Sequence, residues 1–118
     1  MSFAQSIELT DPDDAKLVTL ARSVRARTRA AEGACVRDTD GRTYAGATVA
    51  LPSLSLSAIG VTVAMAASSA SSGLEAVVVL GGDTVRDTDL DVVRDFAGSG
   101  IPVYLAAPDG TVTAQATT

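Results

Sequence analysis

The sequence contains little of the chemistry on which most protein sites depend. Its 118 residues include one cysteine, no histidine and no tryptophan, and aromatic residues make up only 3%. A single cysteine excludes an intrachain disulfide bond, which fits a reducing compartment, so we expect a cytoplasmic protein. The scarcity of aromatic rings also leaves few platforms on which a base could stack.

Positive charge is scarce as well, because 9 Lys and Arg residues stand against 14 Asp and Glu residues, for a net charge of −5. Nucleic-acid affinity depends on neutralising phosphates with Lys and Arg, so this balance disfavours a nucleic-acid partner. Arg22, Arg25, Arg27 and Arg29 do lie close together in the chain. On a helix they would spread around more than half a turn, which favours a solvated face or subunit contacts.

No segment predicts export or insertion into a membrane. The first residues lack the basic and then apolar pattern of a signal peptide. The longest apolar stretch, residues 58–67, is too short and too interrupted to span a bilayer. We therefore expect no membrane partner.

What the sequence does contain is a regular succession of helix and strand patterns. Apolar residues make up 47% of the composition, enough for one core. Asp11 and Pro12 begin a helix, since Asp11 can cap free amides and Pro12 suits the first helical position. The uncharged segment 54–72 predicts a helix buried on several sides. The predicted helices are 12–31 (ended by Gly33), 54–72 and 87–97, and the predicted strands are 34–37, 42–49, 75–80, 101–105 and 111–114.

This order of elements, α-β-β-α-β-α-β-β, indicates the architecture. Helices that alternate with strands pack on both faces of a sheet, so we predict a three-layer α/β/α domain around a mixed sheet of about five strands. Residues 11–114 are expected to form this single domain, with residues 1–10 and 115–118 as flexible ends.

Four short motifs occur in a fixed order along the chain. Residues 40–42 (DGR) precede residues 46–51 (GATVAL), and residues 94–96 (RDF) precede residues 102–111 (PVYLAAPDGT). Their order and spacing resemble the cytidine deaminases, which carry Asp-Gly-Arg, Gly-Cys-Asn-Val-Glu-Asn, Arg-Glu-Phe and Pro-Val-Tyr-(two to four residues)-Pro-Asp-Gly-Thr. The resemblance implies the three-layer fold of that family.

The resemblance also implies a chemistry whose residues are missing here. Cytidine deaminases hold zinc with one Cys or His and a Pro-Cys-x-x-Cys pair, and the metal activates water for attack on C4 of cytosine. Those ligands fall on Ile59, Arg86 and Asp89. The glutamate that shuttles protons in the family falls on Val61, so we expect a degenerate homologue with no zinc and no other cofactor.

A vestigial pocket is expected where these positions meet. The ribose-binding Asn and Glu of the family fall on Thr48 and Ala50. Ile59 and Val61 are expected to fill the old site with apolar groups, and an open, solvated cavity beside Val61 would contradict this hypothesis. The residues expected near the pocket are Thr48, Ala50, Ser53, Ile59, Val61, Arg86 and Asp89.

Three other features have simpler interpretations. Asp87, Asp89 and Asp91 alternate as at the start of a calcium-binding loop. The Gly and the final Glu of such a loop are replaced here by Val92 and Gly98. The three acids are therefore interpreted as residues that complement the dipole at a helix N-terminus. The Gly-Gly-Asp-Thr of residues 81–84 lacks the pattern of a phosphate-binding loop and indicates a strand-to-helix turn. The lone thiol is expected to be buried and structural.

These observations predict a non-catalytic, cytidine-deaminase-like protein that acts through self-association or by binding an unidentified protein partner. The family is dimeric or tetrameric, so a homodimer or homotetramer is expected.

One alternative is a nucleoside- or nucleotide-binding module without turnover, with a pocket near Thr48 and Ser53. The sequence stops soon after the Pro-Asp-Gly turn, which weakens that alternative. Another is an enzyme of a different type that uses Asp87 and Asp89 with a divalent metal, and a third is an unrelated α/β domain with a different strand order.

Overall fold

The computed structural model describes residues 6–118, so the first half of the predicted flexible N-terminus, residues 1–5, lies outside the described residues. The chain forms three helices and seven strands within the described part. The helices are α1 (Pro12–Thr28), α2 (Ala58–Ser68) and α3 (Asp87–Ala97), and the strands are β1 (Gly33–Asp38), β2 (Thr43–Ala47), β3 (Val49–Leu51), β4 (Leu54–Leu56), β5 (Leu74–Leu80), β6 (Pro102–Ala106) and β7 (Val112–Thr117).

Five of the strands form one mixed sheet in the order β2-β1-β5-β6-β7, in which β5 and β6 are parallel and the other pairs are antiparallel. α1 packs on one face, where Leu17 and Ala21 meet Cys35 and Val78. α2 and α3 pack on the other face through a second cluster that includes Ile59. This arrangement confirms the predicted three-layer α/β/α architecture with a mixed sheet of five strands.

α1 begins as predicted and ends earlier than predicted. The Asp11 carboxylate accepts a hydrogen bond from the Asp13 amide at 2.8 Å, and Pro12 occupies the first helical position. The prediction that the helix runs to residue 31 is wrong, because Arg29 adopts a left-handed conformation (φ 54°) that ends it after Thr28. Gly33 begins β1 instead, where a side chain would overlap the Ala21 carbonyl of α1.

The prediction of one helix over residues 54–72 is also wrong. Residues 54–56 form β4, which pairs with β3 in a separate two-stranded hairpin. Leu54, Ser55 and Leu56 alternate apolar and polar side chains with the period of a strand rather than that of a helix. α2 starts only after Ser57, whose hydroxyl accepts from the Gly60 amide at 3.0 Å and caps the helix.

The remaining elements lie close to their predicted positions. The turn at residues 38–41 joins β1 to β2, and its Asp38 carboxylate accepts from the amides of Asp40 and Arg42. α3 matches its prediction at both ends, whereas β7 runs to Thr117, three residues beyond its predicted end, because Thr118 N donates to the Ile101 carbonyl at 3.1 Å. Among residues 6–118 no helix is long and apolar enough to cross a membrane.

Candidate functional site

The N-terminal ends of α2 and α3 meet beside the segment that enters β1. Ser57, which caps α2, donates its hydroxyl hydrogen to Asp89 Oδ1 at 2.6 Å. Asp89 lies in the first turn of α3, and its side chain is only 6% exposed. A carboxylate there interacts favourably with the positive end of the α3 dipole. Ser57 and Asp89 therefore join the two helix ends directly.

Arg86, which precedes α3, connects Asp89 to the sheet. Its Nη2 lies 3.0 Å from Asp89 Oδ2 and 2.5 Å from Glu32 Oε1. Glu32 immediately precedes β1, and its side chain is only 8% exposed. The hydrogen bond to Glu32 is the main reason that the pKa of Arg86 is raised above its ordinary value. We call Glu32, Ser57, Arg86 and Asp89 the Arg86 cluster.

The backbone around Glu32 is held by Thr48, which lies between β2 and β3. Thr48 Oγ1 accepts from the Glu32 amide at 3.1 Å, and the Thr48 amide donates to the Glu32 carbonyl at 3.1 Å. On the other side, a Cβ at Gly82 would overlap Glu32 Oε2, so a side chain there would displace the carboxylate. The Thr48 hydroxyl thus serves the fold of this chain.

The two apolar positions of the predicted pocket are packed against neighbouring elements. Ile59 is fully buried in the core between α2 and the sheet. Val61 is partly exposed and lies against β2, where a Cβ at Gly46 would sit 2.6 Å from Val61 Cγ1. This packing is consistent with the hypothesis that Ile59 and Val61 fill the position of an old site, which stays a prediction.

The other predicted site residues are not drawn into the cluster. Ala50 lies on β3 and Ser53 in the turn that follows it, and both are exposed. Asp87 and Asp91 are also exposed, and Asp91 pairs with Arg94 at 2.9 Å. Asp89 alone of the three alternating acids points inward, so the Asp-x-Asp-x-Asp pattern does not converge on one point.

Two grooves lie elsewhere on the surface. One, of about 440 Å³, is bounded by the N-terminal segment, α1 and the start of β7, and the other, of about 350 Å³, lies between α2 and α3. The second groove is lined by Gly60, Val63, Ala64, Ala67, Val92, Asp95 and Phe96. Neither groove is lined by Ile59, Val61, Arg86 or Asp89.

The donor atoms in this region do not fit a zinc ion. Zinc sites in proteins use thiolate, imidazole and carboxylate ligands. The sequence has no histidine, and Cys35 is fully buried in the middle of the sheet, where burial raises the pKa of its thiol to about 12. Within residues 6–118 no group of three or more Cys, Asp and Glu residues lies close enough together to hold a metal.

Sequence reasoning had identified Arg86 and Asp89 but had missed their two partners. Ser57 carries a recognisable signal, since serine directly before an apolar helical segment is a common N-cap. Glu32 carries no such signal, because it lies 54 residues from Arg86 in the chain. Only the order of the strands places these two side chains together.

Comparisons with known proteins agree with this fold. The model of the cytidine deaminase-like family matches residues 10–110 of this chain. A search of curated protein sequences gave no match. The fold is similar to that of the cytidine deaminase of Burkholderia pseudomallei, with a TM-score of 0.76, 18% identity and coverage of 86% of this chain and 90% of that chain.

Two mycobacterial structures are also similar. The cytidine deaminase of Mycobacterium leprae has a TM-score of 0.70 and 19% identity, and the match covers 91% of this chain and 94% of that chain. The cytidine deaminase of Mycobacterium tuberculosis has a TM-score of 0.68 and 25% identity, and the match covers 79% of this chain and 85% of that chain.

Proposed function

This chain belongs to the cytidine deaminase-like family, and we propose that it is a non-catalytic member that binds no zinc and acts through self-association or by binding a protein partner. The observation that carries the proposal is the Arg86 cluster. It stands at the N-termini of α2 and α3, where the resemblance places the zinc ligands. Each charged or polar group of the cluster is already paired with another group of the same chain.

The chemistry of the cluster supports this proposal in three ways. The Arg86 guanidinium is permanently charged, and a cation at a ligand position repels a divalent metal ion. Ile59 offers no donor atom. Val61 has no group that could take up or release a proton, so the acid–base step of deamination has no residue at its place in the family.

The cluster instead has the properties of a structural connection. It joins the segment before β1, the cap of α2 and the first turn of α3 through hydrogen bonds of 2.5–3.0 Å. Its two carboxylates are almost fully buried and share one guanidinium. In the proposal, this partly buried ion pair holds the three elements in one arrangement. In the proposal it replaces the cross-link that a metal would make.

The test is to measure the zinc content of the purified protein and its hydrolysis of cytidine. The matched control is a variant in which the family's groups are put back, with Ile59→Cys, Val61→Glu, Arg86→Cys and Asp89→Cys. We expect less than about 0.1 zinc per chain and no deamination in the unchanged protein, and close to one zinc per chain in the variant, as three thiolates on two helix ends suit this metal. Stoichiometric zinc or deamination in the unchanged protein would contradict the proposal.

A thermal-shift experiment with cytidine, uridine and their nucleotides tests the nucleoside-binding alternative. A ligand at one hundred times its dissociation constant adds roughly 2.7 kcal/mol to the free energy of unfolding. We expect no rise in melting temperature. A rise of several degrees with any of these compounds would replace the proposal with a nucleoside-binding module.

A further inference from the structure

A long stretch of the chain carries no charged side chain. Residues 43–74 contain no Asp, Glu, Lys or Arg, although charged residues make up 19% of the sequence. Among residues 6–118, the large apolar side chains that are exposed are Leu51 (59%), Leu54 (49%) and Met65 (37%), and all three lie in this stretch. We call the β3–β4 hairpin and the exposed side of α2 the uncharged face. Depletion of charge together with exposed apolar side chains is typical of the core of a protein–protein interface.

The hairpin supplies the protruding part of the uncharged face. Leu51 and Leu54 are partners in the register of β3 and β4, so their side chains lie on the same side of the hairpin. Pro52 and Ser53 form the turn between them, and both are exposed. Leu51 and Leu54, here the leucine pair, therefore present an apolar surface that residues 6–118 leave uncovered.

The groove between α2 and α3 is the recess of the same region. It has a volume of about 350 Å³ and is lined mainly by Val, Ala and Phe side chains, with Asp95 as the charged residue among them. The hairpin directly precedes α2, yet the leucine pair of the same chain does not line this groove. Ile7 lies far from it, because Ile7 bonds to β7 and packs with α1 on the opposite face of the sheet. The groove can therefore take an apolar side chain from another molecule.

The charge of the chain favours a second copy as that molecule. Each copy has a net charge of −5, so two copies repel one another over most of their surfaces. The uncharged face is where they can approach without a general meeting of like charges. The leucine pair and the groove also belong to the same region of one chain, which is the self-complementarity that a two-fold interface requires.

We propose that two copies of this chain associate through the uncharged face about a two-fold axis beside α2, with the leucine pair of each copy inserted in the groove between α2 and α3 of the other. The contact then forms twice in each dimer. The inference rests on the self-association part of the proposed function and names the surface that carries it.

The first test is sedimentation equilibrium of the unchanged protein and of two charge variants. Leu54→Asp places a carboxylate in the groove of the other copy, beside its Asp95. We expect the dissociation constant of the dimer to rise at least about thirtyfold, the effect of losing one hot-spot contact. The control Ser23→Asp adds the same charge at an exposed position of α1, on the opposite face of the sheet, and should leave the dimer unchanged. Circular dichroism of each variant checks that it is folded.

The second test is the rescue of Leu54→Asp by a change in the groove. In a mixture of Leu54→Asp with Asp95→Lys, opposite charges meet at one of the two contacts, and the other contact has its original residues. The control partner is Asp91→Lys, which makes the same change of charge on α3 at a residue that does not line the groove. We expect the heterodimer with Asp95→Lys to be at least about tenfold tighter than that with Asp91→Lys.

The outcomes separate this inference from the proposed function. A dimer that Leu54→Asp leaves intact, or equal affinities for the two lysine variants, overturns the leucine-pair contact but leaves a non-catalytic, self-associating protein. A monomer at all concentrations overturns both the contact and self-association. Zinc-dependent deamination overturns the proposed function while leaving the result for the uncharged face standing.

Discussion

Replacing Arg86 by methionine tests whether the Arg86 cluster is a structural connection. Methionine keeps most of the length of the side chain and removes the charge that faces both Glu32 and Asp89. The side chains of those two acids are only 8% and 6% exposed, so in the variant two buried carboxylates lose their shared cation. The Ser57 hydrogen bond to Asp89 remains. The loss should therefore come from electrostatics rather than from packing.

The size of the effect can be estimated from the exposure of the three groups. Removing one partner of a fully buried ion pair costs about 3–5 kcal/mol, because the other charge is left without compensation. The Arg86 side chain is 47% exposed, so solvent weakens the interaction, and we expect a loss of about 2–4 kcal/mol in the free energy of unfolding. For a chain of this length that corresponds to a fall in melting temperature of roughly 10 °C.

The assay is urea unfolding followed by circular dichroism, with Arg94→Met as the control. Arg94 lies on the same helix with a side chain that is 46% exposed, but its partner Asp91 is 67% exposed. An exposed pair of this kind contributes at most about 1 kcal/mol. If the two variants lost equal stability, the electrostatic account of the cluster would be refuted.

Two further predictions concern buried positions. Gly46→Ala should lower the free energy of unfolding by about 1–3 kcal/mol in urea titrations, because the new methyl group would overlap Val61. The control Gly73→Ala should cost less, since the nearest side-chain atom there is 3.5 Å away. Equal losses in the two variants would contradict tight packing of Val61 on β2. Cys35 should not react with iodoacetamide at pH 8 in the folded protein, since burial raises the pKa of its thiol to about 12, and should react fully in urea; rapid modification of the folded protein would show that the thiol is accessible.

Local patterns in the sequence were sufficient for most of the fold. The cap and proline at the start of α1, the Asp-Gly turn after β1 and the apolar run of β5 each follow from preferences of a few neighbouring residues, and the structure has all three elements. The alternation of these elements indicated the three-layer architecture. The motifs before α2, at the end of α3 and after α3 indicated the family.

Local patterns failed where a weak preference competed with tertiary packing. Residues 54–56 directly precede the cap of α2 in an uncharged segment, yet they pair with β3. α1 stops at Arg29 because the chain must turn there to enter β1. The sequence by itself determined that the chain has one cysteine and no histidine, since residue types can be read without a structure, and this carries the proposal that the family's zinc site is lost. Only the tertiary structure decided that an ion pair between Glu32 and Arg86 lies at the ends of α2 and α3. These two residues are 54 positions apart in the chain, so their contact depends on which strands and helices the fold makes neighbours.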